Sequence, residues 1–441
     1  MPSKARNYFV DILLIMVAAV VIIRLLSIVV IFDRHYLDPD FSDFYTAGQA
    51  ANAGLSIYVN NIFHHPPIWD GATLLTRSGF LYPPLASIFF RPLAMLPYLA
   101  AKFIWSIITL ACVSLTMVIA ARIDKKSLEL RPTMMVIILV ALFEPFLALL
   151  EQGQIDGVTL ILMVGAIALM MRRGKIQSYS AGGLIAFAVL LKIQCILFLP
   201  FLLLRRRWQA LTGVIAIGAI LVILMLIVNG WQVTKDYAEN RLPHFENAGQ
   251  SIDKQDLPFP RGYKDGRLYY IPSNVAVAPT ATLVVATLNL VKSANNLQMP
   301  KTTLSLIFFF IMFGIVAYWQ MRHQNVVKHF SDMQEFAYWQ IGLIIVLLCG
   351  PLTWVMNVVW ILPAAFISIY WYKKVENGRQ AFFLALSTLG LLLAAIPGEW
   401  GFMSLFPQQF HPEFKYIIAE LMLFAGLLYF ISHKIPENGH I

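Results

Sequence analysis

The stretch "FVDILLIMVAAVVIIRLLSIVVIF" runs from Phe9 to Phe32, and "DPDFSDFY" follows it closely, from Asp38 to Tyr45. The first stretch is apolar and long enough to cross a bilayer as a helix, which takes about 20 residues. The second places three carboxylates beside that helix, in a chain whose formal net charge is +9. Together they predict a membrane span that leads into an acidic segment at the membrane surface.

The composition extends this interpretation to the whole chain. Of its 441 residues 59% are hydrophobic and 13% are charged, whereas a soluble domain carries roughly a quarter charged residues. Apolar runs of spanning length recur to the end, so we expect one membrane domain over residues 1–441. The first run is too long for the apolar part of a signal peptide, so we expect it to stay attached.

The distribution of Lys and Arg predicts the topology. They cluster in short loops between apolar runs, which explains the basic balance without a nucleic-acid partner. Placing these clusters in the cytoplasm predicts about twelve crossings with both termini inside. Two long segments then lie outside, residues 33–79 and 230–301. The short external connections include "EQGQID" and "GPLTW", which contain no Lys or Arg.

Two apolar segments must bend for this topology to hold. The first is "YPPLASIFFRPLAMLP", from Tyr82 to Pro97, which is short and framed by prolines. The second runs from Ser180 to Leu204 and is centred on "LLKIQ". A Lys in the middle of a lipid-facing helix costs several kcal/mol, so we expect a break near Lys192 that lines a wet cavity.

The predicted fold class is therefore an all-α polytopic membrane protein. The second external segment is rich in Pro and Gly and is expected to be mostly loop, with an interfacial or re-entrant helix over Val275–Leu290. His64 and His65 precede two prolines and are expected in a loop. The three cysteines lie in apolar runs and are interpreted as small buried side chains.

The acidic segment continues as "FSDFYTAGQAANAGL", with apolar residues at helical spacing from Phe41 to Leu55. It predicts a helix along the outer surface that ends at Gly54. Asp40 suits the N-cap of this helix, and Asp43 suits its first turn, where a carboxylate meets the helix dipole. Asp38 and Asp40 also resemble a D-x-D metal clamp, but no acid–histidine cluster completes it, so no metal or other cofactor is expected.

Several of these motifs, in order, resemble glycosyltransferase family 87. They are "DFSDFYTAGQAANAGLSIY", "FLYPPLASIFFRPLAMLP", "GQIDG", the Lys of "LLKIQ" before "RRRW", and "GPLTW". The resemblance implies a GT-C-like fold and a membrane enzyme similar to polyprenyl-phosphate-mannose-dependent mannosyltransferases. The chain departs from the family pattern in having Ile193 after the Lys, and Met356 and Asn357 in place of a histidine pair.

The resemblance places the family's catalytic Asp at Asp40, with Asp43 in a position that is usually not acidic. The helix dipole makes Asp43 mainly a helix-start acid. One carboxylate suffices as general base for a sugar hydroxyl, and a lipid phosphate leaves without protonation. Lys192 is the expected partner of that phosphate, the alternative being a Lys that extends to the interface or pairs with Glu144 or Glu151. Further substrate contacts are expected from five residues near the same cavity, although turn chemistry and an interfacial aromatic belt are alternatives for most: Tyr45, Tyr82, Gln154, Trp354 and Asn357.

The resulting hypothesis is an inverting glycosyltransferase at the outer face of a bacterial inner or plasma membrane. Its expected partners are a polyprenyl-phosphate-sugar donor, with mannose expected by analogy, a lipid or glycan acceptor, and membrane lipids. A lipid or glycolipid transporter is the alternative, disfavoured by the missing internal repeat. A non-catalytic assembly partner is a third reading, which would tolerate loss of Asp40.

Overall fold

The structure is a computed structural model, and it describes most of the chain. The described residues are 3–35, 40–58, 62–69, 72–77, 80–123, 129–172, 174–242, 262–264, 267–269, 283–284, 287, 300–351, 353–396 and 414–433.

Helices make up nearly all of the described chain. They are α1 (Ser3–His35), α2 (Phe41–Asn52), α3 (Pro84–Leu93), α4 (Tyr98–Ala121), α5 (Leu130–Leu142), α6 (Glu144–Gln152), α7 (Asp156–Met171), α8 (Lys175–Leu191), α9 (Leu199–Leu204), α10 (Trp208–Asn229), α11 (Trp231–Asp236), α12 (Lys301–Arg322), α13 (Gln324–Lys328), α14 (Asp332–Cys349), α15 (Ala364–Tyr372), α16 (Gly378–Ala395) and α17 (Phe414–Ser432). Two 3-10 helices, Ile193–Phe198 and Val355–Ile361, and a π-helical turn, Tyr237–Arg241, complete the set.

Seven helical segments in the described residues are long and apolar enough to cross a membrane. The pair α5 and α6, bent by 51°, would make eight, and three shorter apolar segments lie beside them. The chain is therefore an integral membrane protein of the helical class, as predicted. The predicted count of twelve crossings is not confirmed.

Helix α14 forms the centre of the bundle, because nearly all of its residues are buried. It begins with a capping box in which the Ser331 hydroxyl accepts from the backbone N–H of Gln334, at 3.3 Å. One turn further, Glu335 accepts hydrogen bonds from Arg205 and Arg207, which follow α9. The arginine turn is thus tied to the buried helix by charge-assisted hydrogen bonds.

The predicted break at Lys192 is confirmed. Helix α8 ends at Leu191, and Lys192 has an extended backbone (φ −145°, ψ 101°). The chain then continues as the 3-10 helix Ile193–Phe198 and as α9, which returns it to the arginine turn. The other expected bend is also present, since α3 ends at Leu93 and α4 begins after Pro97.

Helix α2 is more deeply buried than the predicted surface helix. Phe41 and Phe44 are fully buried in an aromatic cluster with residues of α3 and α4. Leu55 was expected on the same face but is 49% exposed, because the helix ends at Asn52 and Leu55 lies beyond that end. Gly54, with φ +69°, lies just after that end, as predicted.

The two long segments after α1 and α11 contribute a small antiparallel sheet, which the sequence did not predict. Strands β1 (Ile62–Trp69), β2 (Ala72–Arg77), β3 (Gly262–Lys264) and β4 (Arg267–Tyr269) pair in that order. His64 and His65 therefore lie in a strand and not in a loop, and pairing is irregular between His64 and Pro67. The helix predicted over Val275–Leu290 lies almost wholly outside the described residues.

Close approach of backbones sets the position of α2 on α3. A β-carbon at position 48 would lie 2.6 Å from the carbonyl oxygen of Phe90. Asn52 and Arg91 exchange two further hydrogen bonds, of 2.9 and 3.0 Å, between the same helices. Glycine at position 48 therefore allows α2 to pack closely against α3, and this packing sets the position of the acidic residues at the start of α2.

We predict that Gly48→Ala displaces α2 and destabilises the protein by about 1–3 kcal/mol, the usual range for overpacking. The matched control is Gly314→Ala in α12, where a β-carbon would meet nothing within 4 Å. That change should leave stability equal or improve it by up to about 1 kcal/mol, since Ala favours helix. Thermal unfolding of both variants in detergent measures this, and equal melting temperatures would contradict it.

Candidate active site

The acidic end of α2 faces a cavity of about 370 Å³. Its walls come from the start of α2, the segment before α3, the turn after α6, the break after α8 and the first turns of α12. The lining residues are Asp40, Asp43, Leu81, Tyr82, Pro83, Gln154, Lys192, Ile193, Gln194, Ile196, Leu197, Leu242, Thr302, Ser305, Leu306, Pro351 and Trp354.

Asp40 lies at the N-cap position of α2, but its side chain makes no capping hydrogen bond. Instead, its Oδ2 accepts from the amide Nε2 of Gln154, and the Oε1 of that amide accepts from the Tyr82 hydroxyl. The capping interpretation of the Asp40 side chain is therefore wrong. The Asp40 side chain does not bond to its own helix, and the Gln154 amide, from the turn after α6, holds it in the cavity.

Tyr82 supplies the fixed end of this hydrogen-bonded chain. Burial, followed by the charges of Asp156 and Asp40, raises the pKa of the Tyr82 hydroxyl well above its ordinary value. The phenol therefore stays neutral at physiological pH and remains a donor to Gln154. Because its Oε1 is occupied by a donor, Gln154 must present its N–H groups to Asp40.

Asp43 also lines the cavity, from the first turn of α2. Its backbone N–H donates to the Asp40 carbonyl at 3.1 Å, so the two acids belong to one helical turn. The dipole at this end of the helix favours the ionised carboxylate. Both acids predicted for the catalytic site thus reach the same cavity, and Asp38 lies outside the described residues.

Lys192 lies at the break between α8 and the following 3-10 helix, and it forms an ion pair with Asp156. The Nζ is 2.8 Å from each carboxylate oxygen. The Lys192 side chain is 9% exposed and that of Asp156 is 0% exposed. Asp156 starts α7, so the pair joins the first residue of α7 to the residue after α8.

This pairing differs from the sequence-based alternatives. Glu144 instead accepts from Lys415, at the start of α17. Glu151 is fully buried in α6. Asp156 belongs to "EQGQID", which was predicted to be a short external connection near the cavity, and turn chemistry was favoured for it over a direct contact. The sequence did contain one indication that Asp156 contacts the site. It lies in "GQIDG", two residues after Gln154, and alternate residues of a short turn can contact two sides of one cavity.

Most of the remaining lining residues are apolar, among them Leu81 and Leu242. Two of them reach the protein surface, since Ile196 is 46% exposed and Leu306 is 44% exposed. The cavity therefore has a charged inner end and an apolar side that reaches the outer surface of the helical bundle.

The other predicted contact residues divide into two groups. Tyr82, Gln154 and Trp354 line the cavity. Tyr45 does not: it is buried against Tyr98, and its hydroxyl donates to the Leu96 carbonyl at 2.7 Å. Asn357 does not either, because it is fully buried and its Oδ1 accepts from the Trp354 N–H at 2.6 Å. Asn357 thus bonds to the backbone of Trp354 and stabilises the turn from which Trp354 lines the cavity.

The cavity is also lined by Gln194, Thr302 and Ser305, which the sequence motifs did not indicate as site residues. Gln194 lies within the quoted "LLKIQ", so its spacing from Lys192 was visible. Thr302 and Ser305 follow the long second external segment and carried no local signal. No group of three or more His, Cys, Asp or Glu side chains that could hold a metal ion occurs among the described residues.

The fold and the site define a helical membrane protein with a carboxylate and an ion-paired lysine in a cavity that is mostly apolar. Comparison with known sequences then identifies it more closely. Residues 80–317 match the model of glycosyltransferase family 87, which covers more than half of the chain, so the chain belongs to that family. The family resemblance indicated by the sequence motifs is therefore confirmed.

One curated relative is the polyprenol-phosphate-mannose-dependent alpha-(1-2)-phosphatidylinositol mannoside mannosyltransferase of Mycobacterium tuberculosis. It is 26% identical over 228 residues, which are 48% of this chain and 51% of that protein. The chain thus spans about half the length of this relative.

Similar solved structures include ArnT from Cupriavidus metallidurans in the apo state, with 12% identity, a TM-score of 0.37, and 98% of this chain and 77% of that chain covered. The same enzyme bound to undecaprenyl phosphate has 12% identity and a TM-score of 0.37, and the match covers 94% of this chain and 76% of that chain. The Archaeoglobus fulgidus oligosaccharyltransferase in the apo form has 11% identity and a TM-score of 0.37, and the match covers 90% of this chain and 56% of that chain.

We predict that the Lys192–Asp156 pair is strongly coupled. Lys192→Met or Asp156→Leu alone leaves an uncompensated buried charge and should destabilise the protein by about 3–5 kcal/mol. The double variant should recover most of this loss, because an apolar pair of similar volume replaces a buried ion pair at little cost. Thermal unfolding of the four proteins gives the coupling energy.

The control is the exposed pair Lys373–Glu129, with an N–O distance of 2.9 Å. The same kind of cycle, with Lys373→Met and Glu129→Leu, should give a coupling of about 0–1 kcal/mol. If the Lys192→Met and Asp156→Leu losses simply add in the double variant, the two charges do not depend on each other.

Proposed function

We propose that this protein is an inverting membrane glycosyltransferase that uses a polyprenyl-phosphate-linked sugar. The observation that carries the proposal is the placement of Asp40 and Lys192 in one cavity, with an apolar side open at the bundle surface. Family membership supports glycosyl transfer. The name of the mycobacterial relative supports a polyprenol-phosphate donor and mannose as the sugar.

In this proposal Asp40 is the general base. It accepts the proton of an acceptor hydroxyl as the oxygen attacks the anomeric carbon from the face opposite the phosphate. The bond between that carbon and the phosphate oxygen breaks, its electron pair stays on the phosphate, and the configuration inverts. Gln154 positions the carboxylate through its N–H, and Tyr82 orients Gln154.

Lys192 contributes to binding the donor phosphate. An ammonium group has three donors, and the two oxygens of Asp156 account for two of them. The third remains for a phosphate oxygen, because Lys192 lines the cavity. The polyprenyl chain lies along the apolar wall and leaves the protein between Ile196 and Leu306, which are close to half exposed. The acceptor is a lipid-linked sugar or a glycan.

The cavity faces the extracytoplasmic side in this proposal. Helix α8 starts at Lys175, close to Arg172, and ends at the cavity about 25 Å away, from the rise of 1.5 Å per residue over 17 residues. The following segment returns to the arginines that pair with Glu335. The basic residues thus lie at the end of the bundle opposite the cavity, and basic loops favour the cytoplasm.

The orientation can be tested by cysteine labelling in intact cells, in a background without Cys112, Cys195 and Cys349. Ala53→Cys, at the exposed end of α2, should react with an impermeant maleimide. Arg206→Cys, at the exposed position between Arg205 and Arg207, should react only after permeabilisation. Labelling of position 206 in intact cells would reverse the orientation and place the cavity in the cytoplasm.

The catalytic assignment is tested by Asp40→Asn against Asp43→Asn. Loss of a general base typically costs about 100- to 10,000-fold in rate, so Asp40→Asn should fold and bind donor but not transfer sugar. Asp43→Asn should keep most activity and lose about 0.3–1 kcal/mol of stability, because it loses a favourable helix-start charge. Transfer rate and melting temperature are measured together for both variants.

Two outcomes would change this assignment. Full activity of Asp40→Asn with an inactive Asp43→Asn would exchange the two roles. Loss of wild-type activity in EDTA, restored by a divalent cation, would make the acids metal ligands and would exclude the metal-free mechanism.

A further inference from the structure

Gln194 has an unsatisfied amide beside the proposed reaction site. Its side chain lines the cavity, the residue is only 6% exposed, and its Nε2 has no hydrogen-bond partner among the described residues. A buried N–H without a partner is unfavourable, and native structures keep few of them. A bound ligand that accepts a hydrogen bond from Nε2 would explain why a polar side chain is kept there.

The neighbours of Gln194 place it near the start of α12. A β-carbon at Gly350 would lie 3.6 Å from the Gln194 Oε1. The preceding residue, Cys349, accepts a hydrogen bond at its carbonyl from the Ser305 hydroxyl. Ser305 lines the cavity from the first turns of α12, so Gln194 and the start of α12 belong to one region of the wall.

The start of α12 favours an anion. The helix has 22 residues and begins after Pro300, and both Thr302 and Ser305 line the cavity. The first backbone N–H groups of a helix have no partner within the helix, and the dipole adds partial positive charge at that end. Helix N-termini commonly bind phosphate groups for these two reasons.

Lys192 alone does not balance the charge of a leaving phosphate. Both oxygens of Asp156 already lie 2.8 Å from its Nζ, so its positive charge is matched inside the protein. When the bond to the anomeric carbon breaks, the phosphate keeps the electron pair and gains negative charge. Donors that carry no carboxylate of their own, such as an amide N–H and a helix N-terminus, would stabilise this added charge.

We propose that Gln194 Nε2 and the N-terminal turn of α12 bind the phosphate of the polyprenyl-phosphate donor, beside Lys192. This assignment rests on the proposed function and deepens it by locating the phosphate. Gln194 is then a specificity-determining residue that selects a phosphate-linked donor, and the sugar lies between this phosphate and Asp40.

The main test measures unliganded stability and phosphate binding together. Gln194→Met keeps the length and removes the unsatisfied N–H, so the unliganded melting temperature should be equal or higher. Binding of a polyprenyl monophosphate, followed by its concentration-dependent thermal stabilisation, should weaken about 10- to 100-fold, the usual range for a hydrogen bond to a charged group. A role in packing alone would lower the melting temperature and leave binding unchanged.

The matched control is Gln340→Met. Gln340 is fully buried in α14, and its Nε2 donates to the Trp360 carbonyl at 2.7 Å. This change should lower the unliganded melting temperature and leave phosphate-lipid affinity unchanged. If Gln194→Met behaves in the same way as Gln340→Met, Gln194 is a structural residue and the proposal is overturned.

A second variant tests whether the side chain at position 194 contacts the phosphate. Gln194→Glu keeps the shape but places a carboxylate in the site. It should weaken polyprenyl monophosphate binding more than Gln194→Met does, because two anions then repel each other. A Glu variant that binds this lipid as well as wild type would overturn the phosphate assignment, since a carboxylate in contact with the phosphate must repel it.

Two further probes separate the headgroup from the lipid chain. Inorganic phosphate should stabilise wild type at high concentration and stabilise Gln194→Met less. The matching polyprenol should act equally on both proteins, because it lacks the phosphate. If wild type transfers sugar but Gln194→Met keeps its affinity for the monophosphate, only the phosphate site is wrong. If wild type neither transfers sugar nor binds the monophosphate, the proposed function fails and the site fails with it.

Discussion

The ion pair between Lys192 and Asp156 is the constraint on which the rest of the site depends. A lysine in the middle of an apolar segment is costly in lipid, and here the chain breaks at that residue while a buried carboxylate binds it with both oxygens. Because Asp156 begins α7 and Lys192 follows α8, this one ion pair joins the ends of two neighbouring helices at the cavity. The break also directs the chain back toward the arginine turn, which leaves the space that the cavity occupies.

The short turn before α7 connects the acidic and basic sides of the site. Gln154 reaches Asp40 and Tyr82, and Asp156, two residues later, reaches Lys192. The carbonyl of Gly153 accepts from the Trp105 indole at 2.7 Å, so α4 also holds this turn. The positions of the base and the cation are thus both tied to one short segment of the chain. A displacement of the turn would move both charges together.

The sequence alone predicted the membrane class, the break at Lys192, the end of α2 near Gly54 and the joint placement of Asp40, Tyr82 and Gln154. Each rests on local chemistry: a charge within an apolar run, a glycine after a periodic stretch, or a motif with a family resemblance. The partner of Lys192 and the burial of Tyr45 were missed, because they depend on which helices pack together. Asn357 follows the turn-chemistry alternative that the sequence left open. The sheet was missed because β1 contains Pro66 and Pro67, which count against a strand, and because β2 and β3 come from segments almost 200 residues apart. The proposed roles of the site residues remain predictions.

The apolar wall that reaches the surface at Ile196 and Leu306 has a consequence for kinetics. A substrate that enters there arrives by diffusion in the plane of the bilayer, so the quantity that sets its encounter rate is its mole fraction among the lipids, not its bulk concentration. Dilution of the donor with inert phospholipid should then slow turnover even at a constant amount of enzyme and donor per volume. Bilayer thickness enters as well, because it determines the depth at which a chain anchored at this opening presents its headgroup.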